Sequence, residues 1–153
     1  MSAAGSSSVH ASAVRVGDHA VLIRGPSGSG KSRLAFGLIV AGRTGQIPDA
    51  ELIGDDRVFL ERRDGRLWVR PAPELAGMIE VRGLGIRRCP NAPEAVIGLI
   101  VDLAADDAAR LPEAAAMQIR IEGVELPRVP VAAEFDPLPL VVAALTTIDA
   151  VGA

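Results

Sequence analysis

Within eight positions, Gly25-Pro26-Ser27-Gly28-Ser29-Gly30-Lys31-Ser32 brings together three glycines, a lysine and a hydroxyl residue beside it. That combination suits the binding of a polyphosphate. Glycines let the chain bend so that successive backbone N–H groups converge on an anion, and a helix opening at Gly30 or Lys31 adds the positive end of its dipole. In this reading Lys31 reaches the β and γ phosphates and the Ser32 hydroxyl meets Mg²⁺. Further along, Asp55-Asp56 places two carboxylates side by side. Such a pair can divide labour, one acid toward a metal and the other as a general base, although a plain solvated Asp-Asp turn has the same sequence. Asp102, closing Leu99-Ile100-Val101-Asp102, has the pattern of a Walker B acid and competes with them for the metal.

These groups need elements to aim them. Ala20-Val21-Leu22-Ile23 reads as a buried strand entering the glycine loop, and Leu34-Ala35-Phe36-Gly37-Leu38-Ile39-Val40 as the helix leaving it, with Ala41-Gly42 capping its end. Before them, Val9 to Val16 and a Gly17-Asp18 turn predict a hairpin that puts His10 on the neighbouring strand, while His19 falls in the turn. Glu51-Leu52-Ile53-Gly54 predicts a short strand with the paired acids at its carboxyl tip, where ligands bind in α/β sheets. A hairpin follows, Val58 to Glu61 with Arg66 to Arg70, joined at Asp64-Gly65 and carrying Trp68 as a packing residue. Pro71 to Gly77 is expected as a loop or short helix, and Ala95 to Leu103 is the most continuous apolar run. Ala104 to Ala116 has good helical propensity except at Pro112. Met117 to Ile121 and Leu126 to Val131 form a hairpin around Gly123, and Pro137 to Val151 is expected as the final helix, burying Leu140, Val141, Ala144, Leu145 and Ile148.

Composition sets the bounds. A chain of 153 residues suits one domain over residues 9–153, preceded by a small polar tail over residues 1–8. Hydrophobic residues make up 49% but aromatic ones only 3%, so the core must be aliphatic, which favours a mostly parallel sheet covered by helices. A net charge of -3 argues against a broad nucleic-acid-binding surface, despite the local Arg87-Arg88 pair. Cys89 is the single cysteine, which excludes an intrachain disulfide and fits a reducing cytoplasm. No apolar run approaches the roughly 20 residues needed to span a bilayer, so neither membrane nor secretion is expected.

One ordered set of residues carries a family resemblance. His10, Gly25 to Ser32, Asp55-Asp56 followed by Val58, and Ile79-Glu80-Val81-Arg82-Gly83-Leu84-Gly85-Ile86 together resemble the catalytic domain of the bacterial HPr kinase/phosphorylase family, from about His10 to Pro130. The resemblance implies an α/β fold: a P-loop-containing kinase domain with a mixed β-sheet, flanking helices and β-hairpins. It implies ATP and Mg²⁺ as cofactors, an HPr-like phosphocarrier protein as partner, and transfer to a serine that inorganic phosphate can reverse. It also implies roles. Asp56 becomes the proton acceptor, Lys31 and His10 join the catalytic set with Arg110, and Ser32 and Glu80 hold Mg²⁺. Asp55 stays on the metal side, and Asp102 becomes structural.

The chain departs from the family pattern in places that bear on these expectations. It resembles a short form without an amino-terminal domain. Arg33 stands where a Glu commonly follows the loop, and Arg43 to Ala50 is longer than the usual connection. Ala132-Ala133-Glu134-Phe135-Asp136-Pro137 replaces a loop tied to phosphorolysis, and acids there repel phosphate, so weak reversal is expected. Family membership would also imply a homo-oligomer, a hexamer. A small-metabolite P-loop kinase and a nucleotide-sensing module that transfers nothing are the rival readings.

Overall fold

The computed structural model describes residues 6–150. Its centre is β9 (Ala95–Leu103), the longest strand. Along one edge β9 pairs in parallel with β3 (His19–Arg24), which is followed by β2 (Ser12–Val16) and β4 (Ala50–Gly54), each antiparallel to its inner neighbour or, for β4, to β2. The other edge is shared. Ala95 and Val96 take β6 (Arg66–Pro71) antiparallel, whereas Ile100 to Leu103 take β11 (Val124–Val131) in parallel. Beyond β6 lie β5 (Val58–Arg63) and β1 (Ser6–Val9), and β10 (Gln118–Ile121) pairs with β11. A separate two-stranded sheet is formed by β7 (Met78–Val81) and β8 (Gly85–Arg88).

Two apolar clusters sandwich this sheet. Successive residues of a strand point to opposite faces. Thus Val21 and Ile23 join Leu34, Leu38 and Val141 on the face covered by α1 (Lys31–Arg43) and α2 (Pro137–Thr146), whereas Ala20 and Leu22 join Val58, Leu60, Leu67 and Val69 on the other. That second face is closed by strands. The expected mostly parallel sheet covered by helices is therefore corrected: parallel strand pairing is confined to β3, β9 and β11, while β2–β3, β5–β6 and β10–β11 are hairpins, whose short turns permit only antiparallel pairing, and β1, β4 and β6 add antiparallel pairs with β5, β2 and β9. A register shift between Ala20 and Val21 accommodates Gly98, where a Cβ would stand 2.9 Å from that of His19.

Other expectations also need adjustment. Ser6 to Ser8 do not dangle: they pair with Glu61, Leu60 and Phe59, since an edge strand gains backbone hydrogen bonds whatever its side chains. The rest of the expected tail, residues 1–5, lies outside the described residues. Helix α1 runs past Ala41-Gly42 to Arg43, with Thr44 as C-cap. Ala104 to Ala116 is not a helix but a loop closed by a 3-10 turn over Ala114–Met117, because an alanine-rich segment interrupted by Pro112 has no stripe of large apolar residues to dock as a helix. Helix α2 stops at Thr146, so Ile148 is exposed, and Leu140 and Ala144 face solvent while Val141 alone of the named residues is fully buried.

Candidate active site

The carboxyl ends of β3, β4 and β9 lie along one edge of the sheet, since β3 and β9 run parallel and β4 is antiparallel to the strand between. Strand β3 delivers the loop Gly25 to Gly30 there, and β4 delivers Asp55-Asp56. The loop is tight. A Cβ at Gly25 would lie 2.6 Å from Ser29 Oγ and 3.0 Å from Leu103 Cβ, so no larger residue fits between β3 and β9 at this point. Gly30 takes a left-handed conformation, φ 100°, as N-cap of α1, and the first turn of α1 carries no acid to oppose an anion. The Lys31 ammonium folds back over the loop and donates to the carbonyls of Gly25 at 2.8 Å and Pro26 at 3.1 Å.

The two aspartates, adjacent in sequence, sit in opposite surroundings. Asp55 is buried, 4% exposed, and its carboxylate is saturated with donors. Ser32 Oγ donates at 2.8 Å to Oδ1 and 2.9 Å to Oδ2, Ser12 Oγ at 2.6 Å to Oδ1, and the Glu80 backbone N–H at 3.0 Å to Oδ2. Asp56 is exposed in a left-handed backbone conformation, φ 72°, a conformation side chains other than glycine rarely adopt and one that recurs at functional sites. It lines a cleft of about 500 Å³ together with Ser12, loop residues Ser27 to Ser32, Glu80 and Arg82. So the structure brings Lys31, Ser32, Asp56 and Glu80 to one cleft, with Asp55 directly beneath.

Two expected participants fall elsewhere, and so does Asp102, which the resemblance makes structural. His10 is exposed on the bend between β1 and β2 rather than on a strand, and Arg110 is exposed in the 104–113 loop; neither lines the cleft. Asp102 is engaged by two arginines, Arg24 through Nε at 2.7 Å and Nη2 at 2.8 Å, and Arg128 through Nε at 2.6 Å. Burial pushes the Asp102 carboxyl up, but the hydrogen bonds from Arg24 and Arg128 outweigh it and hold the group below its ordinary value. Arg128 in turn grips Asp107 with both terminal nitrogens, which ties the 104–113 loop to the sheet. Ser12 is the residue that sequence reasoning missed. Its only sequence signal is a hydroxyl flanked by Ala11, Ala13 and Val14.

This geometry fits a nucleotide and its metal. A constricted glycine loop at the amino end of α1, with Lys31 on its rim, is a cradle for phosphates. Ser32 points its proton at Asp55, which leaves its oxygen lone pairs for a cation. Among the described residues no three His, Cys, Asp or Glu side chains cluster as a ready-made cage. Mg²⁺ binds through one or two protein groups and takes much of its shell from phosphates and water, a demand that the Ser32 hydroxyl oriented by Asp55 can meet.

A sequence model described as the HPr Serine kinase C-terminal domain matches residues 2–134. The HPr kinase/phosphorylase of Streptococcus thermophilus is 41% identical over 80 residues, 52% of this chain and 24% of that protein. That of Clostridium beijerinckii is 41% identical over 78 residues, 51% of this chain and 24% of that protein. The alignments thus span about a quarter of these relatives' length. In fold, the chain superposes on the Hpr(Ser) kinase/phosphatase from Coxiella burnetii with a TM-score of 0.71, at 23% identity, over 91% of this chain and 93% of that one. Because the glycine loop, the paired aspartates and the Glu80 hairpin all fall within the matched residues, the chain belongs to the HPr serine kinase C-terminal domain family.

Proposed function

We propose that this chain transfers the γ-phosphoryl group of ATP to a serine of an HPr-like phosphocarrier protein, and that the reverse phosphorolysis is weak. The observation that carries this reading is the contrast between Asp55, buried and fully donated to, and Asp56, exposed on the cleft wall with its backbone held in an unfavourable conformation.

Phosphoryl transfer needs positioning and charge neutralisation more than covalent help. Loop amides and Lys31 hold the β and γ phosphates. Mg²⁺, when bound, neutralises phosphate charge; Ser32 and Glu80 are the side chains that would hold it, and Asp55, placed on the metal side by the resemblance, acts from beneath by orienting the Ser32 hydroxyl. Asp56 orients the incoming serine hydroxyl and takes its proton as the serine oxygen bonds to phosphorus; the bond to the β-phosphate oxygen breaks and ADP leaves. Arg82, on the same wall, offsets charge on the group in transit. In the reverse direction orthophosphate attacks the phosphoserine, pyrophosphate forms and the serine oxygen regains its proton from Asp56. That direction brings two anions together and needs extra cations. Near the end of the chain the available groups are Glu134 and Asp136, and Asp136 is occupied in capping α2 by accepting from the Leu138 N–H at 3.2 Å.

Incubation with γ-labelled ATP and HPr-like carriers tests the reading. Label on a carrier serine is expected; Asp56→Asn should cut transfer by about 10²-fold or more while calorimetry still detects ATP binding, and Lys31→Ala should lose ATP binding itself. Pyrophosphate release from the phosphorylated carrier should be far slower than forward transfer. ATP binding without labelling of any carrier, or full loss of transfer in Asp102→Asn with Asp56→Asn active, would overturn the proposal.

A further inference from the structure

We infer that the outward face of the β7–β8 hairpin is the landing surface for the acceptor protein, and that it recognises an apolar patch bordered by acidic side chains next to the target serine. The inference rests on the reading of the chain as a protein serine kinase and names what that kinase recognises.

The hairpin pairs only with itself. Its register sets Glu80 opposite Ile86 and Met78 opposite Arg88, so these four share one face, while Ile79 points the other way and is buried in the core. Ile79 therefore anchors the hairpin and leaves the Glu80 face open. Glu80 lines the cleft, as does Arg82 in the turn. The cleft wall thus runs without a break into Ile86 and, at the turn, Leu84, which are 65% and 69% exposed. Gly83 and Gly85 take left-handed conformations on either side of Leu84, with open space around both, and so the turn projects Leu84 outward.

Single exposed aliphatic residues are ordinary, but two within three positions at the mouth of a reaction cleft are not. A small phosphate acceptor would have no use for them. A protein must lay surface against this rim to bring a serine to Asp56, and burying the pair then rewards contact. Charge selects the kind of protein. Arg88 on the Glu80 face and Arg82 at the turn flank the two aliphatic residues, so this rim carries cations on a chain of net charge -3. Aliphatic residues ringed by arginines match a partner patch of apolar side chains with acids at its margin.

Two variants test the surface, the double variant Leu84→Ser with Ile86→Ser, and the single variant Arg88→Glu. All three positions are exposed, so the variants should melt at the wild-type temperature. For each, the KM for the carrier should rise by about tenfold or more, with kcat at saturating carrier and ATP affinity unchanged. Carrier binding without nucleotide, followed by calorimetry, should weaken in parallel, and the arginine variant should lose the salt dependence of binding. Unchanged carrier KM and binding in both variants would overturn the inference, as would absence of carrier binding to the wild type or an equal loss of ATP affinity. The two proposals fail separately: a wild type that binds carrier through this face but never labels it would sink the kinase reading and leave the docking surface standing.

Discussion

Ser12 and Asp55 are the two buried polar side chains among the described residues, and they are bonded to each other. Asp55 Oδ1 accepts a hydrogen bond from Ser12 at 2.6 Å and one from Ser32 at 2.8 Å, so Ser12 fixes the carboxylate that in turn orients the Ser32 hydroxyl. Groups that orient a ligating residue typically matter by 10- to about 100-fold in metal affinity. We therefore expect Ser12→Ala to weaken ATP binding about tenfold in the presence of Mg²⁺ and hardly at all in its absence. Titration calorimetry in both conditions decides the point, since equal losses would mean a packing role alone. The glycine loop was readable from sequence because its chemistry is local, eight consecutive residues that fold over one anion. Ser12 was not, because its meaning comes from a carboxylate 43 residues away across two strands. The paired aspartates were half legible: their place at a strand tip followed from pattern, whereas the burial of one and exposure of the other depends on which way the chain turns after Gly54.

Helix α1 shows how a local rule loses to packing. Gly42 looks like a terminus, yet it lies inside the helix because a Cβ there would stand 2.7 Å from Ala50 Cβ and 2.8 Å from its backbone nitrogen. The glycine lets β4 pass close to α1. Gly42→Val should cost about 1–3 kcal/mol by overpacking, read from the urea midpoint, and a variant as stable as wild type would refute the close approach. Hairpins were the most readable elements, since Asp64-Gly65 and Glu122-Gly123 adopt the positive φ values that such turns require. The Ala104 to Ala116 segment was misread because propensity is a weak prior; here Arg128 pins Asp107, and the Ala116 carbonyl accepts from Arg128 at 2.9 Å, which holds the chain in a non-helical path.

Across the whole molecule, Arg24, Asp102 and Arg128 tie β3, β9 and β11 together just below the glycine loop. Asp102 ends below its ordinary pKa despite the upward push of burial, and Asp107 is lowered by its hydrogen bond from Arg128. A depressed folded value means that the stabilisation is present above the unfolded carboxylate pKa of about 3.9 and is lost as pH falls from there through the lower folded value. Thermal melts should show wild type losing stability below about pH 4 more steeply than Asp102→Asn, which starts lower at neutral pH. Parallel slopes would show that the network contributes nothing that depends on ionisation.

The position of β9 has one more consequence, for the time at which the chain can fold. It inserts between β3, which precedes it by some seventy residues, and β6, and among the described residues it is the one strand that both halves of the sheet share. A chain still emerging from the ribosome has β2, β3 and α1 long before it has the strand that completes either apolar cluster. Such long-range pairing delays folding and leaves aliphatic surface open to other chains in the interval. The phosphate loop therefore acquires its rigid seat against Leu103 only once the chain has been made some seventy residues past the loop itself.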